Sequence, residues 1–586
     1  MSILDKSSLV MIPSGYKEDK LYSVKPRNGD GDFTFTRAST GTRVNSDGYI
    51  EEVPWNELIG SEDYVGGTYG WYKNNCTITA NDTTSPIGTN NASRISFTTT
   101  YPSDFRNTTQ NISGINTTSI YVKYIDAQYM QLNGSNDGDH YCNYDVLNGV
   151  VGNSGAQSSG SIEDVGNGWF RLIFKQEAGT LAGDVRFINT DSLTSAFNSN
   201  ASTNGDFHIW GAQSVKGTSV KPYIKTTDRL DVPRLDYSGG ATNPTLLLEP
   251  QRTNLVPYSE DFSQWSAIGS NQTLVNNTNP IDSNAYEIES SVTSSHSRIY
   301  RNALMTAGND YSSTYLVKPS SNPPEYLGFA CISNLQPDVL YDFANDQFVD
   351  FNIVGNAAKC ESISMNNGWK LLKVPVHENV INTRFNIYQG SRVGNNLYGT
   401  TGQSYYIKFA QLEQGGFATS YIPTSGMSVT RVADVCEEAG DSTTFNDSEG
   451  VLFAEIAALA DDLSSRVISL NDGSTSNRVI ILYQTITSSI RVIVSSGGSI
   501  EFDSNTQNYD ITNFNKIALK YKENDFALWI NGTEVSTDIS GLTPIGLNNL
   551  EFNNANGTSN FFGKCKQLIY FNEALTDDEL EELTTI

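Results

Sequence analysis

Apolar and polar side chains alternate with period two in short runs throughout the chain. At "WFRLIF", Trp169, Arg171 and Ile173 take one face and Phe170, Leu172 and Phe174 the other, which predicts a half-buried strand. A second run opens in the same way, after Asn367-Gly368, at Trp369. In each case Asn-Gly supplies a turn tolerant of positive φ, and the Trp that follows is expected to anchor a core. The last third repeats the period in "RVIILYQTI", "SIRVIVSS", "KIALKYKE" and "FALWINGTEV", bounded by Gly, Asn and Asp, with a hairpin signal at Asn531-Gly532. Near the C-terminus the pattern changes once. "ALTDDELEEL" predicts a short helix with Thr576 as N-cap, Glu579 closing a capping box, and Asp577 and Asp578 complementing the dipole. The chain is therefore expected to be all-β.

The two Asn-Gly-Trp runs belong to a longer repeat. Asn56 and Ser61–Asp63 are echoed by Asn254 and Ser259–Asp261, Arg186-Phe187 by Arg384-Phe385, Gln213 by Gln411, and Tyr223 by Tyr421, all at an offset of 198. Two sibling modules of nearly equal length follow, at 53–232 and 250–436. The segment 1–52 is an N-terminal arm and docking segment, 233–249 a linker, and 437–586 a third unit of a different kind. Within the arm, "FTFTRASTGTRVN" alternates as an isolated strand that must pair with a neighbour to be stable. With 586 residues the chain exceeds what one hydrophobic core can organise, which agrees with this division.

Composition narrows the function. Asp and Glu outnumber Lys and Arg 65 to 38, a net charge of -27, so a non-specific grip on nucleic acid or anionic lipid is excluded. No apolar run is long enough to cross a bilayer, and "MSILDKSSLVMIP" lacks the features of a secretory signal, so a soluble chain not exported by that route and not inserted in a membrane is expected. The six cysteines are far apart and read as buried apolar side chains rather than a disulfide or zinc framework. His140, His208, His296 and His377 show no metal spacing, and no nucleophile elbow, phosphate loop or zinc-helix motif occurs. No catalytic residue is assigned and a non-enzyme is expected. Calcium is the one candidate ion: "NGDGD" at 28–32, "NDGD" at 136–139 and "NDG" at 471–473 offer oxygen ligands, although none completes an EF-hand and turn formation alone explains most such clusters.

A sugar site needs a flat aromatic for the apolar face of a pyranose and polar side chains for its hydroxyls. Trp71, Tyr72 and Tyr129 in the first module, and Trp265 and Tyr326 in the second, stand in variable or loop-like stretches and are the aromatic candidates. Arg186 and Arg384, each beside a Phe in a predicted strand, are candidates for contact from a sheet face, with a structural Arg as the alternative.

The segments "FTFTRASTGTRVNSDGYIEEV" and "VPRLDYSGGATNPTLLLEPQRTNLVPYSEDFSQW" resemble head-spike or fibre proteins of tailed bacteriophages. The modules with "EDVGNGWFRL" and "FAQLEQGGFATSYIPT" resemble phage jelly rolls similar in build to carbohydrate-binding modules, and the last unit resembles laminin-G and concanavalin-like jelly rolls. The resemblance implies tandem β-sandwich domains on a virion surface, other virion proteins as partners, host-surface polysaccharide as ligand, and a homo-oligomer. A capsid decoration protein without sugar binding and a polysaccharide depolymerase are the alternatives.

Overall fold

A computed structural model describes residues 3–586 apart from 67–68, 113–114, 135–137, 177–182, 303–304, 307, 331–335, 353 and 376–383. In the first module two six-stranded antiparallel sheets face one another. The front sheet runs, edge to edge, Val150–Ser154, Tyr141–Asp145, Tyr129–Asn133, Gly183–Thr190, Asp104–Ile112, Trp71–Asn74. The back sheet runs Ser158–Gly166, Trp169–Gln176, Asn116–Tyr124, Gly205–Lys216, Ala92–Phe97, Cys76–Thr83. The second module repeats this order strand for strand. Its front sheet is Gln347–Asp350, Val339–Asp342, Tyr326–Ala330, Arg384–Val393, Ser297–Asn302, Ser266–Ile268, with Asn396–Tyr398 added to Arg384–Val393. Its back sheet is Glu361–Ser364, Lys370–Pro375, Tyr311–Pro319, Ser404–Gln414, Asn284–Ser290, Ser270–Asn276. Shared order in two sheets is the structural form of the repeat read in the sequence, and tandem sandwiches are the fold.

The residues that carry the 198-residue echo close each sandwich. Asn56 accepts from the amides of Leu58 and Ser214 and donates to the carbonyls of Ala212 and Ile224. Asn254 accepts from Val256 and Leu412 and donates to Ile422. The Ser61 and Ser259 hydroxyls lie 2.7 Å from the phenols of Tyr223 and Tyr421. Gln213 and Gln411 accept from the Ile224 and Ile422 amides at 2.9 and 2.7 Å. The repeated residues satisfy buried backbone groups where the chain enters and leaves each module, and this requirement is the same in both copies.

The two Trp anchors are buried, at 1% and 0% exposure, but outside the sandwich cores. Leu172, Phe174, Leu372 and Val374 face inward, so Trp169 and Trp369, in the opposite phase, lie on the outer face of the back sheet. Each is capped by a loop distant in sequence, the one joining the two far strands of the same sheet: Trp169 Nε1 donates to the Thr84 carbonyl at 3.2 Å, Trp369 Nε1 to the Thr278 carbonyl at 2.9 Å. Of the cysteines, five among the described residues are free and four of these are buried; Cys331 and His377 lie outside the described residues.

The last unit is a sandwich of eight- and five-stranded sheets ending in the helix Asp577–Thr584, whose capping box of Thr576 and Glu579 is formed as predicted. Its larger sheet is completed by distant parts of the chain. Ser7–Met11 and Thr245–Leu248 both pair with Gly563–Phe571, and Leu235–Asp236 pairs with Thr245–Leu248. The strand Phe33–Thr36 finds its neighbours in Lys20–Leu21 and Val435–Glu437. Leu9, Met11, Phe33, Phe35, Leu246 and Cys436 consequently belong to the core of the C-terminal sandwich.

These crossings meet in a buried ionic cluster. Arg37 and Arg234, both with fully buried side chains, contact the carboxylate of Asp434, which also accepts from the Glu249 amide at 2.7 Å. Arg234 and Arg431 contact Glu249 at 2.5 and 3.0 Å. Burial pulls Arg37 down to about 10 even beside Asp434. Burial would raise the Glu249 carboxyl, but Arg431 and Arg234 outweigh it and hold the group far below the ordinary carboxylate range. The arginines of "FTRAS", "VPRLD" and "VTRVA", together with the acids of "LLLEP" and "VADV", thus form one joint between the N-terminal segment, the 233–249 stretch and the end of the second module.

Candidate functional face

The front sheet of each module carries its outward side chains in rows across the strands. In the first module Tyr72 lies opposite Arg106, Arg106 opposite Arg186, and Arg186 opposite Asn133. Strand alternation puts Phe105 and Phe187 inside, both within the core, and sends these polar neighbours outward. The Arg106 guanidinium lies 4.9 Å from the centre of the Tyr72 ring, and Tyr72 is 48% exposed. Asp184 holds both arginines, at 3.2 Å from Arg106 and 3.5 Å from Arg186, and Asp104 lies 3.3 Å from Arg106 Nε.

The corresponding face of the second module is richer in tyrosine. Arg384 is exposed and lies 5.1 Å from the centre of Tyr300; Arg298 lies 5.8 Å from Tyr300 and 5.2 Å from Tyr388, and donates to the Tyr388 hydroxyl. Burial raises the Tyr388 phenol in spite of Arg298, so it stays a neutral donor and acceptor at physiological pH. Stacked guanidinium and phenol planes of this kind offer fork-shaped donors beside flat apolar surface.

The structure divides the seven candidates into three groups. Tyr72, Arg186 and Arg384 stand on the front-sheet faces as their side-chain chemistry requires. Tyr129 and Tyr326 stand on the same faces but at the far end, half-buried, opposite Asp145 and Asp342. Between Tyr129 and the arginine row the chain crosses the sheet as a strap. Gln131 donates to the Ala196 carbonyl and accepts from the Asn198 amide, and Asn143 donates to Ser195. Tyr326 packs beside Ala330, Leu340, Tyr388 and Leu397, and burial raises its phenol, followed by the adjacent Glu325.

Trp71 and Trp265 correct the expectation for the third group. They are 3% and 4% exposed and face the sandwich interior. Trp71 stacks on Phe105 at 4.7 Å and donates to the Gly60 carbonyl; Trp265 packs against Phe262 and Phe385 and donates to Tyr258. Trp71 precedes outward Tyr72 in an extended strand, so it must point inward, where no pyranose reaches it.

Arg106, Arg298, Tyr300 and Tyr388 were not singled out in the sequence. Their signal is the alternation itself: in "SRIYR" Ile299 faces the core, which places Arg298 and Tyr300 together on the outer side.

The oxygen-rich turns spend their carboxylates locally. Asp32 accepts from the Ser23 amide at 2.8 Å, and Asp472 accepts from the Ser474 amide and Asn477 Nδ2 at 2.9 and 2.8 Å. Positions 136 and 137 lie outside the described residues. Among the described residues no three His, Cys, Asp or Glu side chains converge as a metal-binding group.

The chain matches no protein-family model and no curated protein. Among solved structures it is similar to the CBM40 of the Ruminococcus gnavus IT-sialidase bound to α2,3-sialyllactose, at 15% identity over 25% of this chain and 91% of that one, with a TM-score of 0.22. It is also similar to the tandem CBM22 domains of Paenibacillus barcinonensis Xyn10C, at 10% identity over 65% and 98% of the chains, with a TM-score of 0.19. Domains LG4-5 of the mouse laminin α1 chain give 9% identity, 48% and 92% coverage, and a TM-score of 0.17. The sandwich architecture rests on the strand order, not on these likenesses.

Proposed function

We propose that the chain is a non-catalytic adhesin of a virion surface, in which the front-sheet faces of the two modules bind host-surface glycan. The observation that carries this reading is the recurrence, in both copies, of an arginine at the duplicated position with a guanidinium stacked on an outward tyrosine: Arg106 on Tyr72 beside Arg186, and Arg384 on Tyr300. Interior residues recur because both folds need them, whereas an outward Arg-Tyr face is not required by the fold. Two such faces on one chain, multiplied by assembly, would turn weak single contacts into firm attachment. Placement on a virion is supported by the resemblance of the segments 33–53 and 232–265 to spike and fibre proteins.

A glycan array with the full-length chain tests the binding reading. Wild type is expected to bind a subset of bacterial surface glycans, and Tyr72→Ala together with Arg384→Ala to lower the signal at least tenfold. A wild-type chain that binds nothing on the array would favour the decoration role. Immunogold labelling of intact particles tests the placement.

A further inference from the structure

The outer face of the second module's back sheet does not end at solvent. It forms one wall of a cleft of about 540 Å³ whose opposite wall is the C-terminal sandwich and whose lining also includes Glu249 of the joint. That volume falls within the roughly 300–1,000 Å³ usual for small-ligand sites.

The module wall is built of two adjacent rows. Glu361, Lys373 and Thr314 lie side by side across three strands, and two residues along lie Ile363, Leu371 and Leu316. Rows two residues apart are separated by about 7 Å, the breadth of a sugar ring. Glu361, Lys373, Thr314, Ile363 and Leu371 all line the cleft. The facing wall repeats the division: Leu459 and Phe514 are apolar, while Lys564 donates to Ser238 at 2.6 Å and lies 3.4 Å from Asp236.

Two features identify the ligand. Each ammonium has its own carboxylate, Lys373 with Glu361 at 3.0 Å and Lys564 with Asp236, so the cleft holds paired donors and acceptors without excess charge. Such pairs suit vicinal hydroxyls, which donate to the carboxylate and accept from the ammonium. Thr314, 98% buried, has a hydroxyl with no hydrogen-bond partner among the described residues, and it lines the cleft. A buried hydroxyl left open costs stability and is a group that a ligand can satisfy.

The first module serves as an internal control. The position corresponding to Thr314 is Ser119, whose hydroxyl is taken by Arg171 at 3.1 Å; Ile173 stands for Lys373, and Arg171 for Leu371. The first module's rows, Ser161-Ile173-Ser119 and Glu163-Arg171-Tyr121, thus lack both the ammonium–carboxylate pair and the apolar strip, so the arrangement belongs to the copy that the C-terminal sandwich faces.

We infer that this cleft is a binding site for a short neutral saccharide, with the sugar's C–H face against Ile363, Leu371 and Phe514 and its hydroxyls on Thr314 and the two ion pairs. The inference rests on the glycan-binding reading but assigns a separate site and a neutral ligand. The test uses the full chain and a panel of neutral and uronate-containing oligosaccharides of two to four units, followed by saturation-transfer NMR. A neutral member is expected to bind. Ile363→Trp, which fills the cleft from an edge strand, should weaken it at least tenfold, and Thr314→Val about threefold, with the thermal midpoint recorded for both. Lys564→Met provides a third, independent change on the facing wall and should weaken binding similarly. Neutral binding that survives all three changes, or binding of uronate-containing members alone, overturns the cleft and leaves the front faces standing. Binding of no oligosaccharide at all overturns both readings.

Discussion

The two modules share strand order and closure, yet the outer faces of their back sheets differ. In the first module that face presents Tyr121, Arg171, Trp210 and Tyr223, with Arg171 donating to the Lys221 carbonyl at 2.6 Å. In the second the same positions are Leu316, Leu371, Phe409 and Tyr421, and Ile50 from the N-terminal segment packs on them. Ile50 N donates to the Pro280 carbonyl at 2.7 Å and Thr42 Oγ1 to Tyr421 at 2.5 Å. The difference shows what duplication left free to change. Interior closure was held by the need to satisfy buried groups, while the outside of each copy followed its neighbour. The second module supplies Arg431 and Asp434 to the joint, whereas the first meets the N-terminal segment outside it, through Arg229–Glu52 at 2.6 Å and Lys221–Asp47 at 2.9 Å.

The ionic joint tests that asymmetry most severely. Asp434→Ala leaves Arg37 and Arg234 buried without their shared carboxylate, and removing one partner of a buried pair costs about 3–5 kcal/mol. Denaturant unfolding of the full chain, followed by hydrogen exchange, should show the loss in the second module and the N-terminal segment, with the first module's amides unchanged. Equal loss of protection in both modules would dissolve the contrast.

Closure supplies the opposite expectation, an equal effect. Asn56→Ala and Asn254→Ala each leave buried amide and carbonyl groups unsatisfied, and both should cost about 2–3 kcal/mol. Unequal values would mean that the repeat is less faithful in energy than in strand order.

Acid should separate the modules again. Glu249 is held below its ordinary range, so its contribution is fully present above the unfolded carboxyl value near 4.5 and is lost as pH falls from there toward the folded value. The wild-type urea midpoint should fall between pH 5 and pH 3, and Glu249→Gln should flatten part of that slope while lowering stability at pH 7. An unchanged slope in the variant would remove Glu249 as the acid-sensitive group.

Period two made most of the fold legible, because each strand half-buries one face and the pattern needs no partner to be seen. The repeat was legible for a different reason: Asn56, Ser61 and Gln213 serve backbone groups, Tyr223 holds the Ser61 hydroxyl, and their spacing is fixed by the module. The joint was not legible. Arg37 meets Asp434 across 397 positions, and no local pattern reports a contact so distant. The site was half legible. Loop-like surroundings do not distinguish outward Tyr72 from inward Trp71; the phase of alternation, anchored on Phe105 and Ile299, separates them and adds Arg106 and Tyr300.

The smallest effect sharpens the comparison between the front faces. Tyr72 is about half exposed and its ring meets one guanidinium, whereas Tyr300 is half-buried with Arg298 and Arg384 both within 5.8 Å of its centre. An exposed cation–π contact is worth about 0.5–1 kcal/mol, and part of that is recovered when Arg106 turns to its two aspartates. Tyr72→Ala should therefore stay within about 0.5 kcal/mol of wild type, and Tyr300→Ala should lose about 1–1.5 kcal/mol. If both are neutral in stability yet both weaken glycan binding, the tyrosines are held for ligand and not for the sheet. If Tyr300→Ala destabilises the chain and leaves glycan binding intact, the Arg-Tyr cluster of the second module is structural, and the first module's face alone carries the ligand.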